Sequence, residues 1–481
     1  MPSKKKPNRT KSKASKHFAV PGSYEKLINR LYEPLLLLTA LDPVRGDHTT
    51  PSVPGDASEL AQRTFQDDLA FMCEYDKGGD ACTALAIEER ETFLVYWVAA
   101  NTDPKNKIAP FLEKVLEFLS GTLVKADDYA DKNKESLTTM CILFALPKIK
   151  KLYKLLCAAV KDTNHRLQSG GFSEQEQALT SWLQQFSQGP RNLVGADNKE
   201  QESGVESGVK LCRLAYEERM SAEMDQLKEL TTMAGADGCF AKVRHYIGRL
   251  AHHVRVPARL LLTVHDLEEL LCNPYRVLAL PVTQCVPFQL PRSVNEHGQA
   301  ILKDIALRMS HSTDPDLYLE LTTSLCELDR QYGVGQEYCQ LAMDNWEKQP
   351  RVHAEIQILE HFHSQNLKWA GNGGRIIGCI YPKWGPPLLA GGTMDPGYIQ
   401  QRDLLNFVIA DMRKDVVDHI RSRRSRNKWH ADTRTEITQA IDGKEAGSAD
   451  SMGCDGEIED SKDSATSVTA VELQIGSESG N

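Results

Sequence analysis

The residues best able to do chemistry are His353 and Glu355, in the stretch RVHAEIQILEHFHSQNLKWAGNGGRIIGCIYPKWGPP that runs from Arg351 to Pro387. An imidazole is a good metal ligand, and a carboxylate beside a metal-activated water can take and return its proton. Two residues apart at the start of a helix, such side chains can converge on one small site. The triplet His353-Ala354-Glu355 is a weak signal by itself, because short patterns recur by chance. Its setting strengthens it. Val352, Ile356, Leu359 and Phe362 repeat at helical spacing, which predicts a buried helix. A glycine-rich turn, Gly371 to Gly374, then leads into Ile376-Ile377-Gly378-Cys379-Ile380-Tyr381, an apolar run that predicts a strand.

The words VHAEIQIL and IIGC, with PKWGPP after them and EYDKGGD, TALAI and VYWVAAN far upstream, are similar to a family of nucleic-acid or nucleotide deaminases widespread in fungi, part of the cytidine-deaminase-like superfamily. The resemblance spans the chain between its two tails. It implies an α/β (α+β) cytidine-deaminase-like core, zinc as cofactor, His353 as a zinc ligand, and Glu355 as the catalytic proton carrier acting on cytosine or adenine. A nucleotide or nucleic acid is the substrate it implies.

The chain departs from that family at one point. Where the family has a Cys-x-x-Cys pair after the strand, this sequence passes directly from Cys379 to Ile380-Tyr381-Pro382, and no Cys-x-x-Cys occurs anywhere in it. Cys379 matches the residue before the pair. Catalytic zinc normally takes three protein ligands, and His353 alone is evident. His361 and His363 do not fill the gap: His361 lies eight residues beyond His353, about 12 Å along a helix, and both read as polar residues near a helix end. Cys379 reads as a small buried hydrophobe. The fold is affected too, because parallel neighbours need a crossover of about a dozen residues. A degenerate family member and a chain lacking one coding segment both account for the departure.

Residues 1–18 form a basic arm with too few apolar residues to build a core, readable as an import signal, a nucleic-acid contact or a solubilising tail. Residues 19–56 hold a helix, Tyr24 to Leu41, and a Pro-rich loop. In residues 57–102, a helix from Ala57 to Met72 precedes an antiparallel hairpin, Cys82 to Ile87 and Phe93 to Val98, joined through Glu88-Glu89-Arg90-Glu91. A deaminase core needs a helix, two such strands and then the helix bearing His and Glu. The expectation is therefore a split core, 57–102 joined to 350–430, around an all-α insertion at 103–349.

Helical periods fill that insertion, as in Ala109 to Leu119, Leu143 to Val160, Gly208 to Met233 and Leu317 to Asp344, with a linker near 189–208. Its basic run, Arg244, His245, Arg249, His252, His253, Arg255 and Arg259, reads chiefly as a solvated helix face, with a phosphate-binding surface as the sharper alternative. After a Gly- and Pro-rich loop, a helix from Ile399 to about Arg424 places its apolar face on the sheet. It ends in a basic cluster, Arg421 to Lys428, that suits a helix C-terminus or an import signal. The acidic tail 431–481 reads as disordered.

Composition bounds the rest. The 481 residues are 41% hydrophobic, enough for one large core or two. The net charge of -9 argues against a chain-wide nucleic-acid footprint, and the 12 scattered cysteines read as free thiols in a reducing compartment, cytoplasmic or nuclear. The longest apolar runs fall short of the roughly 18 residues a membrane span needs, so no membrane partner is expected. The functional expectation is a deaminase-like protein inactive in this form, with protein partners bound through its helical insertion. The alternatives are an active zinc deaminase whose sequence is incomplete here and a helical interaction scaffold.

Overall fold

The computed structural model describes residues 22–41, 57–77, 82–101, 103–123, 130–169, 174–187, 201–234, 238–288, 298–310, 315–370, 387, 389 and 392–422. The chain opens with helices α1 (Gly22–Leu41) and α2 (Ala57–Met72), then strands β1 (Thr83–Glu89) and β2 (Leu94–Ala100). Helices α3 (Ile108–Leu123), α4 (Ala130–Phe144), α5 (Leu146–Ser169), α6 (Glu174–Ser187), α7 (Gln201–Glu218), α8 (Ala222–Ala234), α9 (Cys239–Thr263) and α10 (Glu268–Cys272) lead to β3 (Tyr275–Ala279). Then come α11 (Gly298–Met309), α12 (Pro315–Tyr332), α13 (Val334–Lys348), α14 (Ala354–Ser364) and α15 (Tyr398–Ser422). Among the described residues the protein is mostly helical, with one small sheet.

The chain divides into two compact units. The first contains α1, α11, α12, α13 and α15, all helical. In it α1 packs on α13 and α15, and α12 on α11, α13 and α15. The left-handed backbone at Gly333 (φ 69°) separates α12 from α13, a conformation glycine adopts without penalty, so the single helix expected across Leu317 to Asp344 is two. The expectation that the helix beginning near Ile399 lies on the sheet is also corrected. Leu405, Ile409, Met412 and Val416 of α15 are buried, and α1 and α12 cover that helix within its own unit.

The second unit holds the sheet, of order β1-β2-β3. β1 and β2 form the expected antiparallel hairpin, with Thr83 opposite Ala100 and Glu89 opposite Leu94. β3 was not foreseen. It pairs in parallel with β2, Leu94 beside Tyr275 and Val98 beside Ala279, so the all-α reading of residues 103–349 is corrected: that region supplies a strand. At the opposite edge, the Glu89 N–H donates to the Lys368 carbonyl and the Ala370 N–H to the Ile87 carbonyl, both at 2.9 Å.

Alternation along the strands sorts the two faces. Leu85, Ile87, Leu94, Tyr96, Val98 and Val277 point into a large core shared with α2, α3 and the end of α9. The other face carries Ala84, Ala86 and Ala99, whose small side chains let α14 approach through Ala354, Ile358 and Phe362. The buried face of α14 thus runs 354, 358, 362; Leu359, expected inside, is exposed. A third core is built from the end of α4 through α9. α7 starts at Gln201, inside the span read as a linker, and a Cβ at its Gly208 would stand 3.2 Å from Leu146 and 3.3 Å from Ile142. Among the described residues no helix is long and apolar enough to cross a membrane. The basic arm 1–18, the basic cluster from residue 423 on, Ile376 to Tyr381 with Cys379, and the acidic tail 431–481 lie outside the described residues.

Candidate metal centre

His353 is the residue just before α14, in extended conformation (φ -64°, ψ 146°), and its carbonyl accepts the Gln357 N–H at 3.0 Å. Its side chain makes no capping bond. The imidazole Nδ1 instead meets Oε2 of Glu355, whose carboxylate in the first turn also suits the positive end of the helix dipole. Sequence reasoning paired these two residues, and the structure places their functional atoms together.

A third residue joins them. Cys82 immediately precedes β1, and its Sγ lies 3.9 Å from Oε1 of Glu355. One ligand atom from each of Cys82, His353 and Glu355 falls within 4.8 Å of the other two. The side chains of His353 and Glu355 keep 10% and 20% of their exposure, so the cluster is shielded but within reach of solvent. Thiolate, imidazole and carboxylate are all zinc donors, and a Cys-His pair favours zinc over the harder magnesium or calcium. The donor set fits zinc; His353 and Cys82 would hold it, with Glu355 either a third ligand or the group beside it.

The sheet and one glutamine bring these residues together. The Asn101 N–H donates to the Cys82 carbonyl at 3.2 Å, extending the hairpin pairing by one step and fixing Cys82 beside the end of β2. Gln357, 1% exposed, ties the start of α14 to that same place. Its Nε2 donates to the carbonyls of Ala100 (3.1 Å) and Val352 (2.9 Å), and its Oε1 accepts the Thr283 N–H at 3.1 Å. Cys82 and Gln357 were both missed from the sequence. The available signal was a cysteine at the mouth of a predicted strand and a polar residue on the buried face of a predicted helix.

The other candidates go elsewhere. His361 packs on Trp97, ring centroids 4.3 Å apart, and burial pushes its pKa down. His363 is exposed. Beneath His361, Glu88 is only 4% exposed; it accepts from Trp97 Nε1 at 2.8 Å and from Arg90 Nε at 2.7 Å and Nη2 at 3.1 Å. The supposed hairpin turn therefore supplies a buried carboxylate. No family model, no curated protein and no solved structure matches this chain.

Proposed function

We propose that this chain is a deaminase-like protein that holds zinc at Cys82 and His353, with Glu355 beside the metal, and acts hydrolytically on the amino group of a cytosine or adenine compound. The observation that carries the reading is the arrival of Cys82 beside the His-x-Glu pair, which adds a thiol donor to a site that had one recognisable ligand. Bound zinc supplies acidification of a water near neutral pH. Cys82 and His353 fix the position of the centre. Glu355, held against Nδ1 of His353, takes the water's proton and returns it to the departing nitrogen, the role a non-ligand glutamate has in zinc deaminases. A nucleotide or nucleic acid carrying the base is the substrate class the sequence resemblance supports.

A second reading rests on the absence of any Cys-x-x-Cys in the sequence: a deaminase-like protein that binds metal without turnover and works through partners of its helices. Elemental analysis of the purified full chain, with Cys82→Ala, His353→Ala and Glu355→Gln beside it, separates the readings when combined with ammonia release from cytosine and adenine nucleotides. About one zinc per chain, lost in the first two variants and kept in the third, with ammonia release lost in all three, supports the enzyme. Zinc without turnover supports the second reading. A chain without zinc, even after incubation with it, overturns both.

A further inference from the structure

A buried cation is costly unless something compensates it. The basic run of α9, expected as a solvated face, is largely buried: His253 is 1% exposed, His252 6% and Arg249 8%. α9 is surrounded by α2, α4, α5, α7 and α8. Lys148 of α5, 1% exposed, reaches the same place. Phe71 of α2 marks the meeting point, with Lys148 Nζ 4.5 Å from its ring centroid and the rings of His252 and His253 at 4.3 and 5.0 Å.

The charges here do not balance among the described residues. Lys148 Nζ has the Glu74 carboxylate at 2.6 Å. Arg249 has no comparable ion pair there, and its buried Nε has no hydrogen-bond partner. His253 Nδ1 lies 3.0 Å from the Arg249 carbonyl, which can only accept, so Nδ1 carries the hydrogen. The opposite nitrogen, Nε2, is buried without a partner. With the Arg259–Asp68 pair of α9 counted as well, three cationic groups thus face two carboxylates, and Arg249 is the cation left over, with an idle guanidinium nitrogen on it and an idle ring nitrogen on His253 one helical turn further along.

We propose that Lys148, Arg249 and His253 form an internal binding site for a small phosphate-bearing anion, separate from the Cys82-His353-Glu355 cluster. A guanidinium and an ammonium together are the usual recognition set for phosphoryl oxygens, the first through directed N–H bonds and the second as a point charge. Phosphate, free or on a metabolite, brings enough negative charge to offset the excess. The ligand would serve as part of the helical core, as bound ions do when they stabilise only the folded state.

The test uses the full chain in phosphate-free buffer, with inorganic phosphate or pyrophosphate added against chloride at equal ionic strength. Phosphorus in the purified protein is measured in parallel. The site predicts a saturable rise in melting temperature of about 3 °C or more near 100-fold excess over Kd. If a cellular phosphate compound is already bound, about one equivalent of phosphorus is found instead, and mass spectrometry of the extract tells inorganic phosphate from a metabolite. Arg249→Met should lose both signals yet melt no lower than the native chain when phosphate is absent, because it removes an uncompensated charge; Arg249→Lys should keep part of the response. No rise and no phosphorus would overturn the proposal, as would an Arg249→Met chain that responds to phosphate like the native one.

Discussion

Cys82 and Glu355 are 273 residues apart in the chain, and Sγ of the first lies 3.9 Å from Oε1 of the second. The closeness is set by backbone pairing. The start of β1 is paired to the end of β2, and Gln357 hangs the start of α14 on the carbonyl of Ala100 in that same strand end. If the cluster is a metal site, Cys82→Ser should weaken zinc binding by about 100-fold or more, since loss of an outer partner alone costs about 10–100-fold. Affinity should also fall as pH drops, because thiol and imidazole must shed protons to bind. Competition with a chromogenic chelator measures both effects, and unchanged affinity in Cys82→Ser would remove Cys82 from the site.

Gln357→Leu should be costly although it adds an apolar group to a buried position. It leaves the carbonyls of Ala100 and Val352 and the N–H of Thr283 without their partner. At about 1 kcal/mol or more for each buried group stranded, a loss of about 3 kcal/mol is expected in urea unfolding. Whatever fraction folds should also bind zinc more weakly, because α14 is no longer pinned beside Cys82. A loss in stability with zinc affinity unchanged would show that Gln357 supports the core without positioning the site.

How much of this was legible follows from what each signal depends on. The hairpin and the helices Gly22–Leu41 and Ala57–Met72 are set by local apolar spacing, and their observed bounds lie within a residue or two of those read from the sequence. β3 escaped because it is five residues at a sheet edge with only Val277 buried, so it carries no alternation to read. Arg249, His252 and His253 were read as solvated because charge is normally outside; only the ring of helices around α9, a matter of tertiary packing, makes them internal. His353 and Glu355 were legible as neighbours in sequence. No spacing rule could have supplied Cys82, since its link to them passes through the pairing of whole strands.

Glu88 should behave as a core residue despite its place near a hairpin turn. Its carboxylate joins Trp97 Nε1 to the Arg90 guanidinium. Glu88→Ala leaves the indole N–H without that acceptor and should cost about 2 kcal/mol. Arg90→Ala removes a pair whose arginine side is 40% exposed, so about 1 kcal/mol or less is expected. Urea unfolding followed by tryptophan fluorescence would rank the two, and equal losses would mean that the ion pair rather than the indole bond sets the role of Glu88.

His253 gives acid sensitivity a definite sign. Burial, with Lys148 and Arg249 adding to it, pushes its pKa down from 6.5 to about 3. The charged and titratable groups near it include Lys148 from α5, Glu74 following α2, and Arg249 and His252 on α9 itself. Between those two pKa values the unfolded chain binds a proton that the folded chain refuses, so this histidine's contribution is complete above pH 6.5 and is lost as pH falls toward 3. Between pH 7 and pH 5 the loss amounts to about 2 kcal/mol for an unfolded pKa near 6.5. His253→Leu gives up the Nδ1 bond and lowers stability at pH 7, but it has no proton to gain, so its stability should fall by about 2 kcal/mol less than the native chain's over the same interval. Urea unfolding of both chains at pH 7 and pH 5 in phosphate-free buffer reads the difference directly. Parallel pH curves would mean that the imidazole titrates alike in the folded and unfolded chains, and that the positive charges around it are compensated by groups other than those named here.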